Sequence, residues 1–245
     1  MHSILNKRCV TTLVFLPPVF WLAHVRSNDM ETDRNPQTMI AALASSAKAP
    51  ELKRHRGQVV PVFPVDFDWD EQRRVERAFF TLLEDNRTEL WEELLKHFDD
   101  SRYALTMCRG GNPVRNFTVG DLCRFLAERR VHFASGLHSD PNSRGRPDIY
   151  LELGIDDLEK WLRQRPGKSL VDLQIEICEK ALMAVADKNL TPEARDKFTQ
   201  RVRMQLSELR TTGQPIFTAV SPDHFDFFNE ARAAEIRDDV APLRK

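Results

Sequence analysis

The stretch Tyr103–Val131, YALTMCRGGNPVRNFTVGDLCRFLAERRV, carries a strand signature and a helix signature back to back. Tyr103, Leu105 and Met107 alternate in the period-two pattern of a strand. Gly110-Gly111-Asn112-Pro113 is a turn signal, and Val114 to Phe117 supplies the returning strand of a hairpin. Thr118 then stands three residues before Asp121, the N-cap and N3 pair of a helix start. Val119, Leu122, Cys123 and Leu126 fall on one face of the helix that follows, to about Arg130. A hairpin feeding directly into a helix predicts an α+β fold.

The flanking sequence sets the proportions. Upstream, Val59-Val60, Val62-Phe63 and Val65 are interrupted by Pro61 and Pro64, which suits an edge strand or extended arm. Asp68 and Glu71 form a capping pair for a helix carrying Val75, Phe79, Leu82 and Leu83. Thr88 is read as the cap of a second helix with Leu90, Trp91, Leu94, Leu95 and Phe98. Only three residues separate these helices, so they are expected to pack as an antiparallel pair. Downstream, Tyr150 to Leu153 reads as a short strand closing the sheet.

Helices then dominate. Ile155, Leu158, Trp161 and Leu162 mark one that stops before Pro166-Gly167, and Ser169 and Asp172 cap another running to about Ala186. Its two apolar rows predict the central helix of the carboxyl half. Thr191-Pro192 and Ser221-Pro222 are further starts with Pro at the first helical position. The expected fold is therefore α+β and predominantly helical, a small antiparallel sheet packed with helices and followed by a helical carboxyl-terminal half. Its expected organisation is a leader over 1–27, a flexible linker over 28–57, an α+β domain over 58–165, and a helical region over 166–245. That last region either packs on the domain or forms a second small one.

The leader has a Lys7-Arg8 pair followed by the apolar run Val10 to Val25, in the order of a secretory signal with small residues near Ser27. Pro17-Pro18 interrupts the run, which is also shorter than a membrane-spanning helix requires, so no stable span is expected. The competing reading is that translation starts near Met30. Cleavage near Ser27 would remove Cys9 and leave Cys108, Cys123 and Cys178, an odd set that makes a poor disulfide framework. The cytoplasm is therefore the expected location, with export as the alternative. Cys123 and Cys178 lie on apolar helix faces, where cysteine acts as a small hydrophobe.

Thirty-six Lys and Arg nearly balance 37 Asp and Glu, a formal net charge of −1. Such a balance gives no electrostatic grip on nucleic acid. The hairpin-then-helix order resembles winged helix-turn-helix modules, which makes a DNA-binding regulator one alternative. A recognition helix should follow at once, and the sequence instead enters a Gly-, Pro- and Asp-rich loop. Gly167-Lys168-Ser169 lacks the upstream glycine of a phosphate loop, since Leu162 occupies that position.

The loop from Gly136 to Asp148 is the candidate site on sequence grounds, because long polar connections on compact domains are disproportionately functional. Arg144 and Arg146 have the bidentate chemistry of an anion clamp. His138 would act as a general acid or base, oriented by Asp140. No metal or cofactor is expected, because the histidines and cysteines lack ligand spacing. The leading expectation is a non-catalytic protein-interaction or ligand-binding module with a protein partner. An enzyme acting on a small anionic substrate at the 136–148 loop is the other alternative.

Overall fold

The computed structural model describes residues 35–109, 113–131, 158–185, 191–217 and 225–240, all within one compact unit. Helix α1 (Pro36–Ala41) opens it, with Asn35 accepting from the Gln37 amide and Pro at the first helical position. The linker expected over 28–57 thus carries structure from Asn35 onward. Ile40 and Leu43 are fully buried. The Arg74 guanidinium donates to the carbonyls of Ala42 and Ala44, both at 2.7 Å, and Glu71 accepts from the Ser46 amide at 2.7 Å. Two apolar anchors are too few to show as a period, and the bonds that dock this segment come from distant residues.

Strands β1 (Glu51–His55) and β2 (Gln58–Val62) form a two-stranded antiparallel hairpin. Its turn residues Arg56 and Gly57 both have positive φ, 49° and 81°, as the mirror-image turn of a two-residue hairpin requires. Pro61 faces Leu52. Counting from the closing pair His55 and Gln58, that is a position without ladder hydrogen bonds, so the missing N–H costs nothing there.

Asp68 caps α2 (Trp69–Glu84) through a 2.9 Å bond from the Glu71 amide. Helix α3 (Glu89–Lys96) follows, but Thr88 has helical backbone angles and makes no side-chain cap. A cap needs an extended residue, so the sequence-based assignment fails at that position. Strands β3 (Tyr103–Arg109) and β4 (Arg115–Thr118) make the expected hairpin. The exchange between Thr118 and Asp121, at 3.0 and 3.1 Å, starts α4 (Val119–Val131). Gly120 is packed so tightly that an added Cβ would lie 2.3 Å from the carbonyl oxygen of Phe98.

Helices α5 (Leu158–Arg163), α6 (Leu170–Ala184) and α7 (Pro192–Thr212) follow. Ser169 and Asp172 form a complete capping box on α6. The last strand, β5 (Phe225–Phe227), precedes α8 (Glu230–Val240). The larger sheet has the order β4-β3-β5, with both pairs antiparallel. Here the sequence reading is corrected, because Phe225 was expected in a helix. Phe225 instead packs edge-on against Phe79, with centroids 5.1 Å apart, and its strand pairs with β3. The helix start moves to Asn229, whose side chain accepts from the Arg232 amide at 3.0 Å. The strand expected at Tyr150 to Leu153 lies outside the described residues.

The fold is α+β and mostly helical, as its periodicities indicate. One buried cluster runs from Ile40 through Phe79, Leu105, Leu122, Ile177 and Phe198 to Phe225, so the sheet and the helical carboxyl half share a core. A second, smaller cluster joins Phe63, Phe67, Val114, Phe228 and Ala233. Phe63 has Phe67 and Trp69 as ring neighbours at 4.8 and 4.9 Å. Pairs of this kind contribute about 0.5–1.5 kcal/mol each beyond area burial. This small aromatic core fixes the strand arm against α8. Among the described residues no helix is long and apolar enough to cross a membrane.

Candidate functional site

Two buried polar side chains tie the helices together. Arg130 is 3% exposed and donates to the carbonyls of Leu82 and Asp85, where α2 ends, and to Leu126 at 3.3 Å. A helix carboxyl terminus carries unpaired carbonyls and a partial negative charge, which a guanidinium satisfies. Burial pulls its pKa down to about 10, against the opposing pull of Asp85. Gln174, fully buried on α6, donates to the Arg130 carbonyl at 2.6 Å and to Ile216 at 2.8 Å, and accepts from the Ile216 amide at 2.9 Å. Both groups are engaged with backbone, which gives them structural work.

A second polar chain crosses the sheet. Asn116 Nδ2 donates to the Pro50 carbonyl at 2.9 Å, leaving Oδ1 to accept from Thr106 Oγ1 at 2.7 Å. The single Thr106 proton is thereby committed, so Tyr103 is the donor in its 2.8 Å contact with Thr106. Burial pushes the Tyr103 phenol up to about 12, which keeps that proton in place at neutral pH. On α2, burial also raises the Glu76 carboxyl, opposed by the bond from Gln72, whose amide donates to it at 2.9 Å. The chain orders β1, β3 and β4 against one another.

A cleft of about 940 Å³ opens between the hairpin end and the carboxyl end of α8. The described residues that line it are the apolar Ala49, Val62, Phe63, Pro64, Val65 and Val240 and the charged Lys48, Glu51, Arg237 and Asp238. Its volume lies within the range of about 300–1,000 Å³ found for ligand sites. Phe63 ties the lining to the small aromatic core, whereas Val65 is 88% exposed. The Arg237 guanidinium donates to the Pro64 carbonyl at 3.3 Å, which holds the cation beside Pro64. Asp239, on the same helix, lies 2.8 Å from His55 Nε2 and 3.0 Å from Arg56, clamping α8 to the hairpin turn. The cleft walls are therefore braced from both sides. A smaller cavity of about 360 Å³ borders Met39, Thr81 and Arg87. Its cation is neutralised by Asp85 at 2.6 Å.

His138, Asp140, Arg144 and Arg146, the site residues expected from sequence, lie outside the described residues. The cleft was not among the sequence-based expectations. Its one legible signal is Val65, an apolar residue isolated between Pro64 and Asp66. The thiols of Cys123 and Cys178 are buried and pushed up to about 12 by burial, and burial likewise raises Cys108. These are poor nucleophiles, because the thiolate is the reactive form. No group of three or more potential metal ligands occurs among the described residues. Comparison with protein families, with characterised proteins and with solved structures finds no match.

Proposed function

We propose that this chain is a non-catalytic protein-interaction module that takes a segment of a partner protein into the cleft between β2 and α8. The observation that carries the reading is the exposed Val65 beside a cleft whose lining mixes apolar and charged side chains. Apolar anchors within a polar rim are the usual anatomy of recognition surfaces. Support also comes from the polar groups of the interior, since Tyr103, Arg130 and Gln174 are committed to structural bonds. The module works in a reducing compartment, which suits the free thiols of Cys108, Cys123 and Cys178.

Co-purification from the native cell tests the proposal when the parent chain is compared with Val65→Asp and with Met204→Asp, an exposed control position on α7. The expected result is a stoichiometric protein partner retained by the parent and by Met204→Asp but lost from Val65→Asp. Recovery of the parent as a stable monomer, or equal retention by all three, would overturn the reading.

A further inference from the structure

We infer that Gln72 and Glu76 form a proton-binding pair within the fold, in which the Glu76 carboxyl takes up a proton and donates it in a hydrogen bond to Gln72 Oε1. The two side chains stand on α2 four residues apart, the spacing that makes helix side chains neighbours. The charged pair makes only half of its possible bonds. Gln72 Nε2 donates to Glu76 Oε1 at 2.9 Å, whereas Gln72 Oε1 is buried and has no donor among the described residues. Gln72 is 1% exposed, so bulk water does not reach that oxygen. A buried acceptor without a donor bears its full desolvation cost, and such an atom in a packed interior calls for an explanation. A carboxylate has no proton to offer it. A neutral carboxyl has one, and it keeps a carbonyl oxygen that still accepts from Nε2. Protonation therefore adds a bond to the pair without removing the one already present.

The groups around the pair suit that proton. Burial raises the Glu76 carboxyl from its ordinary range. Arg73 and Arg77, on the same helix, favour its charged form, but both are exposed, where solvent weakens such attraction. Arg73 is also joined to Asp70 at 2.6 Å and attracted by Glu230 of α8. From β3 the Tyr103 phenol interacts with Glu76, and its own proton is directed to Thr106. Burial pushes that phenol up to about 12, so Tyr103 neither supplies the missing donor nor adds a competing charge. The outcome is a pH-sensitive lock on α2 that closes as the proton enters. A carboxyl raised in the folded state contributes stability that is fully present below its unfolded value of 4.5 and is lost as pH rises through the higher folded value.

Urea unfolding of the whole chain at neutral pH tests this with Glu76→Gln, Glu76→Met and each of them combined with Gln72→Met. Glutamine and methionine are both uncharged and have similar helix propensity, but only glutamine offers Gln72 Oε1 an N–H. Glu76→Gln should have a folding equilibrium constant about threefold to tenfold above that of Glu76→Met, the size of one net hydrogen bond. The difference should vanish once Gln72→Met is added. Equal constants, or a difference that survives Gln72→Met, would overturn the inference. Infrared spectra follow the proton itself, over the acid range in which circular dichroism shows the native fold. The carbonyl band of the neutral Glu76 acid, recognised by its loss in Glu76→Gln, should lie at a strongly hydrogen-bonded frequency and rise in Gln72→Met. No such band, or one at the frequency of a free acid, would also overturn the inference, and the parent spectrum decides this even if Gln72→Met fails to fold.

Discussion

The side-chain amide of Gln174 donates to the main-chain carbonyl of Arg130 at 2.6 Å, across the boundary between α6 and α4. One residue thereby joins three segments, because the same amide also bonds both polar groups of the Ile216 backbone. Gln174→Leu fills the volume but leaves the Arg130 carbonyl and the Ile216 N–H and carbonyl without these partners. Unmade buried hydrogen bonds cost about 1–3 kcal/mol each, partly recovered as the neighbours relax. The expected loss is about 2–4 kcal/mol, read from the urea midpoint with the slope unchanged.

Arg130→Met should cost less, about 1–3 kcal/mol, because it removes a desolvated charge along with the bonds to Leu82 and Asp85. Gln174 touches the backbone of Arg130 and not its guanidinium. The two residues meet at one main-chain carbonyl, so a double-mutant cycle should show a coupling of about 0.5 kcal/mol. A larger coupling would show that the two side chains act as a unit.

Acid titration should separate two glutamates on α2. The bond from Arg74 holds Glu71 down from 4.5 to about 2, with further help from Ser46. A carboxyl depressed in the folded state contributes stability above its unfolded value and loses it as pH falls from 4.5 towards 2. Glu71→Gln should thus lower the midpoint at neutral pH and flatten its acid decline in that window. Glu76 has the opposite sign, because burial raises it. Its charge works against the fold at neutral pH and is relieved on acidification, so Glu76→Gln should raise the neutral midpoint. Denaturant midpoints across this pH range measure both effects.

Gly120→Ala should destabilise although alanine is the better helix former. The added methyl would meet the Phe98 carbonyl oxygen at 2.3 Å, and the atoms it meets are main-chain atoms that cannot swing aside. Relief requires α4 to move away from the end of α3, and overpacking of this kind costs about 1–3 kcal/mol or more. A thermal midpoint equal to that of the parent would show that the two helices can separate freely.

The sequence by itself determined those features whose causes are local. Asp68 with Glu71, Thr118 with Asp121, and Ser169 with Asp172 place three helix starts within reach of their own side chains. The inward rows of α2 and α4 were legible for the same reason, since 3.6-residue periodicity is written along the chain. Tertiary structure decided what depends on distant partners. Phe225 becomes a strand residue because Phe79 and β3 are there to receive it. Residues 42–46 are docked by Arg74 and Glu71, and no apolar period announces them. The cleft has the same origin, because Lys48, Val65 and Arg237 lie far apart in sequence and meet only when α8 is clamped to the hairpin. Local bonding can be read from neighbours, whereas a cleft assembled from three segments exists only once the core has brought them together.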